Sequence, residues 1–263
     1  MRSLPIGLAL SAAVALAVPL AAKTVAVPAP IKTAVAAPTR TPANVARDPY
    51  RHPAETLAFF GVTPGQTVVE YSPGGGWYTE ILAPLTRDKG LLYAGQAAGR
   101  GYDALAAKIA ADTATYGKVK LVAWPAEGLI PDGSADTLLT FRNIHNMVMN
   151  GSADANFKRF FAILKPGGVL GIVDHRLPEA RDTAAEKTSG YLKVSTVRAL
   201  AEKAGFVLEA SSEVNANPKD TADWPGGVWT LPPTYAKGDV DRAKYQAIGE
   251  SDRMTLRFRK PKT

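Results

Sequence analysis

The stretch VVEYSPGGGWYTE, which runs from Val68 to Glu80, contains an apolar segment, an acid, three consecutive glycines and two aromatic residues. Residues 67–71 are rich in β-branched side chains and follow a Thr-Pro-Gly turn, a pattern that predicts a short strand. The glycines come directly after this strand. Because glycine has no side chain, the backbone there can approach a flat or charged ligand closely. The stretch therefore predicts a strand that ends at a ligand site.

Strand and helix signals alternate on both sides of this stretch. Further strands are predicted at residues 91–95, 119–124, 137–141, 169–174, 206–212 and 254–258, and helices at 53–60, 102–111 and 195–204. The last of these helices has Ser195 as its predicted N-cap and Gly205 beyond its end. Strands that alternate with helices predict an α/β fold, with a mostly parallel sheet covered by helices on both faces. Ligands of such sheets bind beyond the carboxyl ends of the strands, where the glycines lie.

The N-terminal segment has a different composition. Met1 and Arg2 precede an uncharged, alanine-rich stretch, and we interpret residues 1–22 as a secretory signal peptide. The alternative is a retained membrane anchor, although Pro5 and Pro19 weaken a spanning helix. Residues 23–46 are mainly Ala, Pro, Val and Thr and predict an extended linker before a folded domain at 47–263. We therefore expect a periplasmic protein that meets the membrane only through its signal peptide.

Composition excludes several classes of function. The chain has 263 residues, of which 46% are hydrophobic, and this suits one sizeable globular domain. Thiol catalysis, disulfides and cysteine-based zinc sites are excluded because the chain contains no cysteine. The net charge is +7, but the basic residues are spread along the chain except in the run 257–262. Nucleic-acid binding needs a clustered patch, so the predicted partner is a small molecule and not a nucleic acid.

Two classes of ligand compete for the glycine stretch. A dinucleotide site would have a G-x-G-x-x-G pattern with an acid about 20 residues later. Here the acid comes first, at Glu70, and small residues follow at Ser72, Gly74 and Gly76. This order resembles the E-x-G-x-G-x-G signature of class I S-adenosylmethionine-dependent methyltransferases.

The resemblance extends along residues 47–262. It rests on RDPYRHP at 47–53, FGV at 60–62, PGGGWYTE at 73–80, RNIHN at 142–146 and LKPGG at 164–168. Together these segments resemble a family of bacterial predicted methyltransferases with N-terminal export signals. The resemblance implies a Rossmann-like sheet with an antiparallel last strand, and S-adenosylmethionine as the cofactor.

The resemblance also implies cofactor-binding residues. Glu70 would lie near the amino-acid end of the cofactor, and Ser72 and the backbone of Gly74, Gly75 and Gly76 would pass beneath it. Gln96 occupies the position where these enzymes usually carry an acid that accepts from both ribose hydroxyls. An amide loses the charge-assisted bonds, worth about 1–2 kcal/mol.

Glu127 follows the third strand. The resemblance places it near the adenine edge, and the alternative is an ordinary loop carboxylate.

The fourth strand ends in polar residues, at the edge where class I methyltransferases meet their substrate. Asn143 and His145 are the candidate catalytic residues, with His145 as a general base toward a hydroxyl or amine. The alternative is a structural histidine. Asp174 and His175 follow the fifth strand, and a metal shared with His145 is conceivable, but the spacing does not demand one and we predict none.

Two further features remain open. Trp77 and Tyr78 either wall the pocket or pack in the core. Residues 215–251 interrupt the alternation of strands and helices, and we interpret them as a lid insertion whose Trp224 and Trp229 are exposed.

Three functions remain. The leading one is an S-adenosylmethionine-dependent methyltransferase for an unidentified small molecule or exported substrate, since methyl transfer needs positioning more than side-chain chemistry. The second is an exported, non-catalytic protein that kept the fold and binds a nucleoside or other small molecule. Gln96 favours it, and so does export, because S-adenosylmethionine is not an expected metabolite outside the cytoplasm. A dehydrogenase is disfavoured by the glycine spacing.

Overall fold

The computed structural model describes residues 26–262, so the predicted signal peptide at 1–22 lies outside the described residues. The strands are β1 (Thr67–Tyr71), β2 (Leu91–Gln96), β3 (Lys120–Ala123), β4 (Ala135–Phe141), β5 (Leu164–His175), β6 (Val207–Ser212) and β7 (Arg253–Arg259). The α-helices are α1 (Ala29–Val35), α2 (Pro42–Val45), α3 (Asp48–Arg51), α4 (Pro53–Phe60), α5 (Thr79–Thr86), α6 (Arg100–Ala111), α7 (Thr113–Tyr116), α8 (Ile144–Met149), α9 (Ala153–Ile163), α10 (Val194–Lys203) and α11 (Arg242–Ile248). Short 3-10 helices lie at Thr183–Lys187 and Gly227–Thr230.

Within the described part of the chain, the strands form one seven-stranded sheet in the order β3-β2-β1-β4-β5-β7-β6. Strands β1 to β5 pair in parallel, whereas β7 is antiparallel to both β5 and β6. This confirms the predicted Rossmann-like α/β fold with an antiparallel last strand. The order reverses between β1 and β4, so the carboxyl ends of these two strands border the crevice where such sheets bind ligands.

Apolar side chains cover both faces of the sheet. On one face, Phe157 and Phe160 of α9 and Val197 of α10 pack against Leu138 and Leu170. On the other face, a separate cluster contains Leu57 and Phe60 of α4, Ile81 and Leu82 of α5, and Val68 and Leu139 of the sheet. Neighbouring residues of one strand thus point into different cores. This is why the central strands are continuous apolar runs, as parallel strands buried on both faces require.

Helix boundaries agree with the sequence where the capping signals are local. The predicted helix at 53–60 is α4, which ends at Gly61 in the left-handed conformation, φ 72°. The predicted N-cap of α10 is wrong, because Lys193 is the residue that precedes this helix. Ser195 instead donates its hydroxyl to the carboxylate of Glu179 (2.6 Å), which also accepts from the Ser195 backbone N–H (3.0 Å). The carboxylate of Glu179, from an earlier loop, therefore accepts hydrogen bonds from the first turn of α10.

The described part of the predicted extended linker is helical and packed. Helix α1 packs against α4 and α5 and buries Ile31, which is 1% exposed, and Ala34. Pro28 and Pro42 stand at the starts of α1 and α2, where a missing N–H costs nothing. The folded part therefore begins before Arg47. Within residues 26–262, no helix combines the length and the apolar composition needed to cross a membrane.

Part of the segment 215–251 is packed against the rest of the domain, whereas residues 236–244 are exposed. Val228 joins a buried cluster with Tyr191, and the indole N–H of Trp224 donates to Asp220 Oδ1 over 2.7 Å. The predicted exposure of Trp224 and Trp229 is wrong, because both are half-buried. Asp220 explains the difference, since a buried carboxylate that accepts from an indole and from Tyr191 holds this segment against the domain.

Candidate functional site

A cavity of about 270 Å³ opens at the carboxyl ends of β1 and β4. Its lining includes five of the predicted site residues, which are Glu70, Ser72, Gly74, Gly75 and Asn143. It also includes residues to which the sequence assigned no binding role or only an open one: Arg51, Trp77, Tyr78, Arg142, Asn215 and Arg253. Gly76, Gln96, Glu127 and His145 are not part of this lining.

The glycine loop presents bare backbone to the cavity. A β-carbon placed on Gly74 or Gly75 would meet no protein atom within 4 Å, so both positions face open space. Gly74 has φ +58°, a backbone conformation that favours glycine, whereas Gly75 does not have a positive φ. Gly76 has a different role, because its β-carbon would lie 3.1 Å from Leu105 of α6. Gly74 and Gly75 thus leave room for a ligand, and Gly76 permits the packing of α6.

Glu70 lies at the end of β1 and is buried. Its Oε2 atom accepts a hydrogen bond from the hydroxyl of Thr79 over 2.6 Å. Burial raises the pKa of Glu70 to about 7, and the bond from Thr79 only partly opposes this rise. The carboxyl group is therefore partly protonated near neutral pH, and a cationic ligand group beside it would favour its ionised form.

Gln96 lies at the end of β2 and braces the glycine loop. Its Oε1 atom accepts from the backbone N–H of Gly74 over 2.9 Å. A β-carbon on Gly101 would lie 3.0 Å from Gln96 Nε2, so α6 packs closely on this amide. The Gln96 amide is therefore engaged with the protein.

The structure places Glu127 apart from the other predicted residues. It borders a separate surface depression together with Asp132 and Arg159.

Aromatic side chains form one wall of the cavity. Tyr78 stacks on Phe141 with ring centroids 3.5 Å apart and planes 9° apart, and Trp77 meets Tyr78 edge-on at 4.6 Å. Both residues are buried in the core that contains α4 and α5. The two alternatives for Trp77 and Tyr78 are thus both realised, since these side chains pack in the core and also line the cavity.

Asn143 links the end of β4 to the glycine loop. Its Nδ2 atom donates to the carbonyl oxygens of Tyr71 (3.1 Å) and Ser72 (3.3 Å). Ser72 has φ 52°, a conformation that non-glycine residues adopt at a cost. The Asn143 amide therefore helps to hold the turn that carries the glycines.

His145 is buried and faces the protein interior. Its Nδ1 atom lies 2.8 Å from Asp174 Oδ1, and its ring meets Trp229 edge-on at 6.2 Å. Asp174 also accepts from the backbone N–H of Ile144 over 2.6 Å. The pair thus ties the start of α8 to the end of β5. Because His145 does not border the cavity, the structure does not bring it together with the glycine loop.

His175 is buried and links Arg142 to Ser251. Its Nε2 atom accepts from Arg142 Nε over 3.3 Å, and its Nδ1 atom lies 2.5 Å from the hydroxyl of Ser251. Burial lowers the pKa of His175 well below its ordinary value, and the nearby cations, Arg142 first among them, lower it further. A neutral ring suits this arrangement because one nitrogen must accept from Arg142.

The conceivable metal ligands do lie together. One ligand atom each from His145, Asp174 and His175 fall within 4.8 Å of one another, and all three side chains are buried. Asp174 and both rings are already engaged in hydrogen bonds. A divalent cation there would also face Arg142, which contacts His175. The donor set does not fit a metal without breaking these contacts.

Three arginines line the cavity, and a buried carboxylate contacts two of them. The arginines are Arg51, Arg142 and Arg253, and the carboxylate is that of Glu250. Glu250 pairs with Arg51 Nε over 3.1 Å, with Arg253, and with Arg47 over 2.6 Å. Burial alone would raise the pKa of Glu250, but these cations lower it to about 2.

No sequence pattern predicted that these arginines lie close together. They come from α3, from the residue after β4 and from the start of β7. The nearest signals were the RDPYRHP and RNIHN segments, which were noted for their resemblance and not for their charge.

Comparison with solved structures finds the same architecture in other proteins. A SAM-dependent methyltransferase from Aquifex aeolicus is 17% identical and superposes with a TM-score of 0.57 over 82% of this chain and 93% of that chain. The 4+2 cyclase SpnF is 17% identical, with a TM-score of 0.54 over 88% of this chain and 92% of that chain. No protein-family model matches the sequence, and no curated protein matches it. At these identities the likeness establishes the fold, and the chain therefore has the Rossmann-like fold of class I methyltransferases.

Proposed function

We propose that this protein is an S-adenosylmethionine-dependent methyltransferase that acts on a small molecule in the cavity between β1 and β4. The observation that carries this proposal is the open backbone at Gly74 and Gly75, directly beyond the buried acid Glu70. Those features lie at the switch point of the sheet order, where ligands of this architecture bind. The Aquifex aeolicus methyltransferase, which shares the fold, supports the choice of cofactor.

We propose that the cavity holds the amino-acid end of the cofactor. Glu70 would face its ammonium group, because a partly protonated buried carboxyl is stabilised in its ionised form by a cation. The open backbone of Gly74 and Gly75 would lie beneath its amino-acid chain, and Asn143 would hold that loop in place. When bound, the cofactor supplies a methyl group on a sulfonium, which is a strong methyl donor.

The fit at the ribose end is weaker. The Gln96 carbonyl already accepts from Gly74, and an amide cannot give two hydroxyl groups the charge-assisted acceptance of an acid. We propose that Gln96 acts on the cofactor mainly by bracing the glycine loop. Glu127 borders a different depression, so its role at the adenine stays a prediction without geometric support.

The chain's own residues would promote methyl transfer by positioning and by excluding water. The stacked pair of Tyr78 and Phe141 and the edge of Trp77 give the substrate a rigid apolar wall. Such sites accelerate transfer by holding the reacting atoms in line, with no covalent step on the protein. His145 is paired with Asp174 outside the cavity, so we assign it the positioning of the β4–α8 turn.

A second candidate is ligand binding without methyl transfer. The engagement of Gln96 with Gly74 favours it, since the ribose position lacks the usual acid. The likeness to the cyclase SpnF also shows that this fold is shared by proteins named for different reactions. We further propose that residues 1–22 direct export to the periplasm. Because S-adenosylmethionine is not an expected metabolite outside the cytoplasm, export favours ligand binding without methyl transfer.

Titration calorimetry tests the cofactor assignment. Purified protein is titrated with S-adenosylmethionine and with its demethylated product, S-adenosylhomocysteine, and NAD serves as the control ligand. We expect heat and a thermal shift with the two adenosyl ligands and none with NAD. No heat and no shift at millimolar concentrations of either adenosyl ligand would refute the proposal, and binding of NAD alone would favour a dehydrogenase.

A further inference from the structure

We infer that Arg51, Arg142 and Arg253 form an anion-binding subsite, and that the small molecule bound in this cavity carries a carboxylate or phosphate group. The assignment of this molecule as the methyl acceptor rests on the proposed function. The subsite itself rests on the geometry and charge of the three arginines.

The three arginines line one cavity from distant parts of the chain. Arg51 ends α3, Arg142 follows β4 and Arg253 begins β7, and all three line the cavity. Arg142 has φ 63°, a left-handed conformation that is unusual for a residue with a side chain. Its guanidinium is held through Nε by the neutral ring of His175. A strained backbone conformation and a buried histidine therefore position this cation.

The cations at this end of the cavity are not balanced by carboxylates. Glu250 pairs with Arg51, Arg253 and Arg47, so one carboxylate serves three guanidinium groups. Arg142 has no ion pair with any carboxylate among residues 26–262. The buried Asp174 lies near it but is engaged with His145 and backbone N–H groups. An anion in the cavity would supply the missing charge.

Two hydrogen-bond donors of these arginines lack partners. Arg51 Nη2 and Arg253 Nε are buried atoms without a hydrogen-bond partner, and the two residues are only 7% and 2% exposed. Buried guanidinium donors are normally paired, because an unpaired one loses its bonds to water without replacement. Arginine presents its donors in a planar fork that matches the oxygens of carboxylate and phosphate groups. An oxyanion is therefore the ligand class that this arrangement recognises.

The titration behaviour of the cluster agrees with this geometry. Burial lowers the pKa of Arg51 to about 9 and that of Arg142 to about 10, and mutual repulsion among the arginines adds to the effect, while Glu250 opposes it. Both groups stay charged near neutral pH, so their repulsion persists in the unliganded protein. A bound anion would relieve it.

The aromatic residues that line the cavity indicate what kind of molecule carries the anionic group. Trp77, Tyr78 and Phe141 are packed on one another beside the arginines, and the Arg51 guanidinium lies 4.8 Å from the Trp77 ring centroid. A cavity of about 270 Å³ with this wall suits a small organic anion.

Anion titrations of the purified protein test the inference. Inorganic phosphate and acetate are the probes, each measured by calorimetry and thermal shift at constant ionic strength with chloride. We expect millimolar binding of at least one probe to the wild-type protein. Preference for phosphate would identify a phosphate-bearing ligand, and preference for acetate a carboxylate.

Arg142→Gln is the main variant, because it removes a cation without breaking an ion pair and should leave the protein folded. We expect it to weaken binding of the preferred probe at least tenfold. Arg51→Gln should also weaken binding of the preferred probe at least tenfold. The matched control is Arg198→Gln, because Arg198 is an exposed residue of α10 that pairs only with Glu202 among the described residues. The control should keep wild-type affinity.

Binding of S-adenosylhomocysteine, measured on the same proteins, separates the two proposals. If Arg142→Gln binds both anions as tightly as wild type, or if wild type binds neither, the anion subsite is refuted whatever the adenosyl ligand does. If the anions bind and S-adenosylhomocysteine does not, the methyltransferase proposal fails and the anion subsite stands.

Discussion

The side-chain oxygen of Gln96 accepts a hydrogen bond from the backbone N–H of Gly74 over 2.9 Å. This bond joins the end of β2 to the glycine loop beyond β1. It engages the amide of Gln96, the residue to which the methyltransferase resemblance assigns the ribose position, and so it bears on both candidate functions.

Gln96→Glu is expected to tighten binding of S-adenosylhomocysteine about tenfold, corresponding to ~1–2 kcal/mol. A glutamate keeps an oxygen for the Gly74 N–H and adds a charge-assisted acceptor for the ribose. Calorimetry on the wild-type and variant proteins measures the difference. Weaker binding by the variant would contradict the placement of the ribose beside residue 96.

Gly75→Val is expected to weaken binding of S-adenosylhomocysteine more than tenfold and to leave thermal stability nearly unchanged. The new side chain would enter the cavity, where a β-carbon meets no protein atom within 4 Å, and Gly75 does not have a positive φ. Gly65→Val is the matched control, since residue 65 has the same freedom and lies outside the cavity lining. Equal loss of stability and of binding would indicate a purely structural turn.

Glu70→Gln is expected to reduce the pH dependence of stability. The pKa of Glu70 is raised to about 7, so the protonated form favours the folded state. Its stabilising effect is complete below the unfolded pKa near 4.5 and is lost as the pH rises to about 7. A shift of this size corresponds to roughly 3 kcal/mol.

Urea unfolding of both proteins at pH 5 and pH 8 checks this prediction. Glutamine keeps an acceptor for Thr79 and carries no charge, so the variant should lose less stability than wild type between the two pH values. Parallel pH dependence in the two proteins would show that Glu70 does not titrate in this range.

Removal of residues 26–46 is expected to destabilise the domain. The buried carboxylate of Glu80 accepts from Thr41 Oγ1 (2.6 Å) and from Asn44 Nδ2 (2.9 Å), and Ile31 packs in the core beside α5. A fragment that begins at Arg47 loses all three contacts, although the sequence predicted it to be the folded unit.

Single substitutions in the longer protein separate these contributions. Ile31→Ala should cost about 2–4 kcal/mol in urea unfolding, by loss of burial and creation of a cavity. Val45→Ala is the control, because Val45 is 42% exposed and its truncation should cost less than about 0.5 kcal/mol. A fragment from Arg47 as stable as the longer protein would show that the first helices contribute nothing.

Export is expected to remove the N-terminal segment. Arg2 and the uncharged run to Ala22 are typical of a signal peptide, so the exported protein should lack Met1. Mass measurement of the N-terminus after cell fractionation checks this. Intact Met1 in the soluble cytoplasmic fraction would refute the signal peptide and would remove the conflict with cofactor supply.

Local patterns in the sequence predicted most of the sheet. Strand β1 was predicted with its bounds, because β-branched residues between a turn and the glycine loop are a local signal. The prediction of an extended chain is wrong for residues 26–46, since prolines indicate an extended chain unless the contacts of Ile31 and Thr41 are known. Those contacts join residues far apart in sequence, and composition does not report them.

The candidate site also has one part that the sequence predicted and one part that only the structure shows. The glycine loop and Glu70 are adjacent in sequence, and the turn chemistry of glycine after a strand is sufficient to indicate a ligand site there. The sequence also placed His145 at this edge, but the direction of a side chain depends on its partner, and Asp174 turns this one inward. The arginines became visible only in the folded protein, because α3, β4 and β7 meet through sheet pairing and helix packing. A local pattern carries the backbone turn that a ligand needs, whereas the charge of the cavity arises from long-range packing.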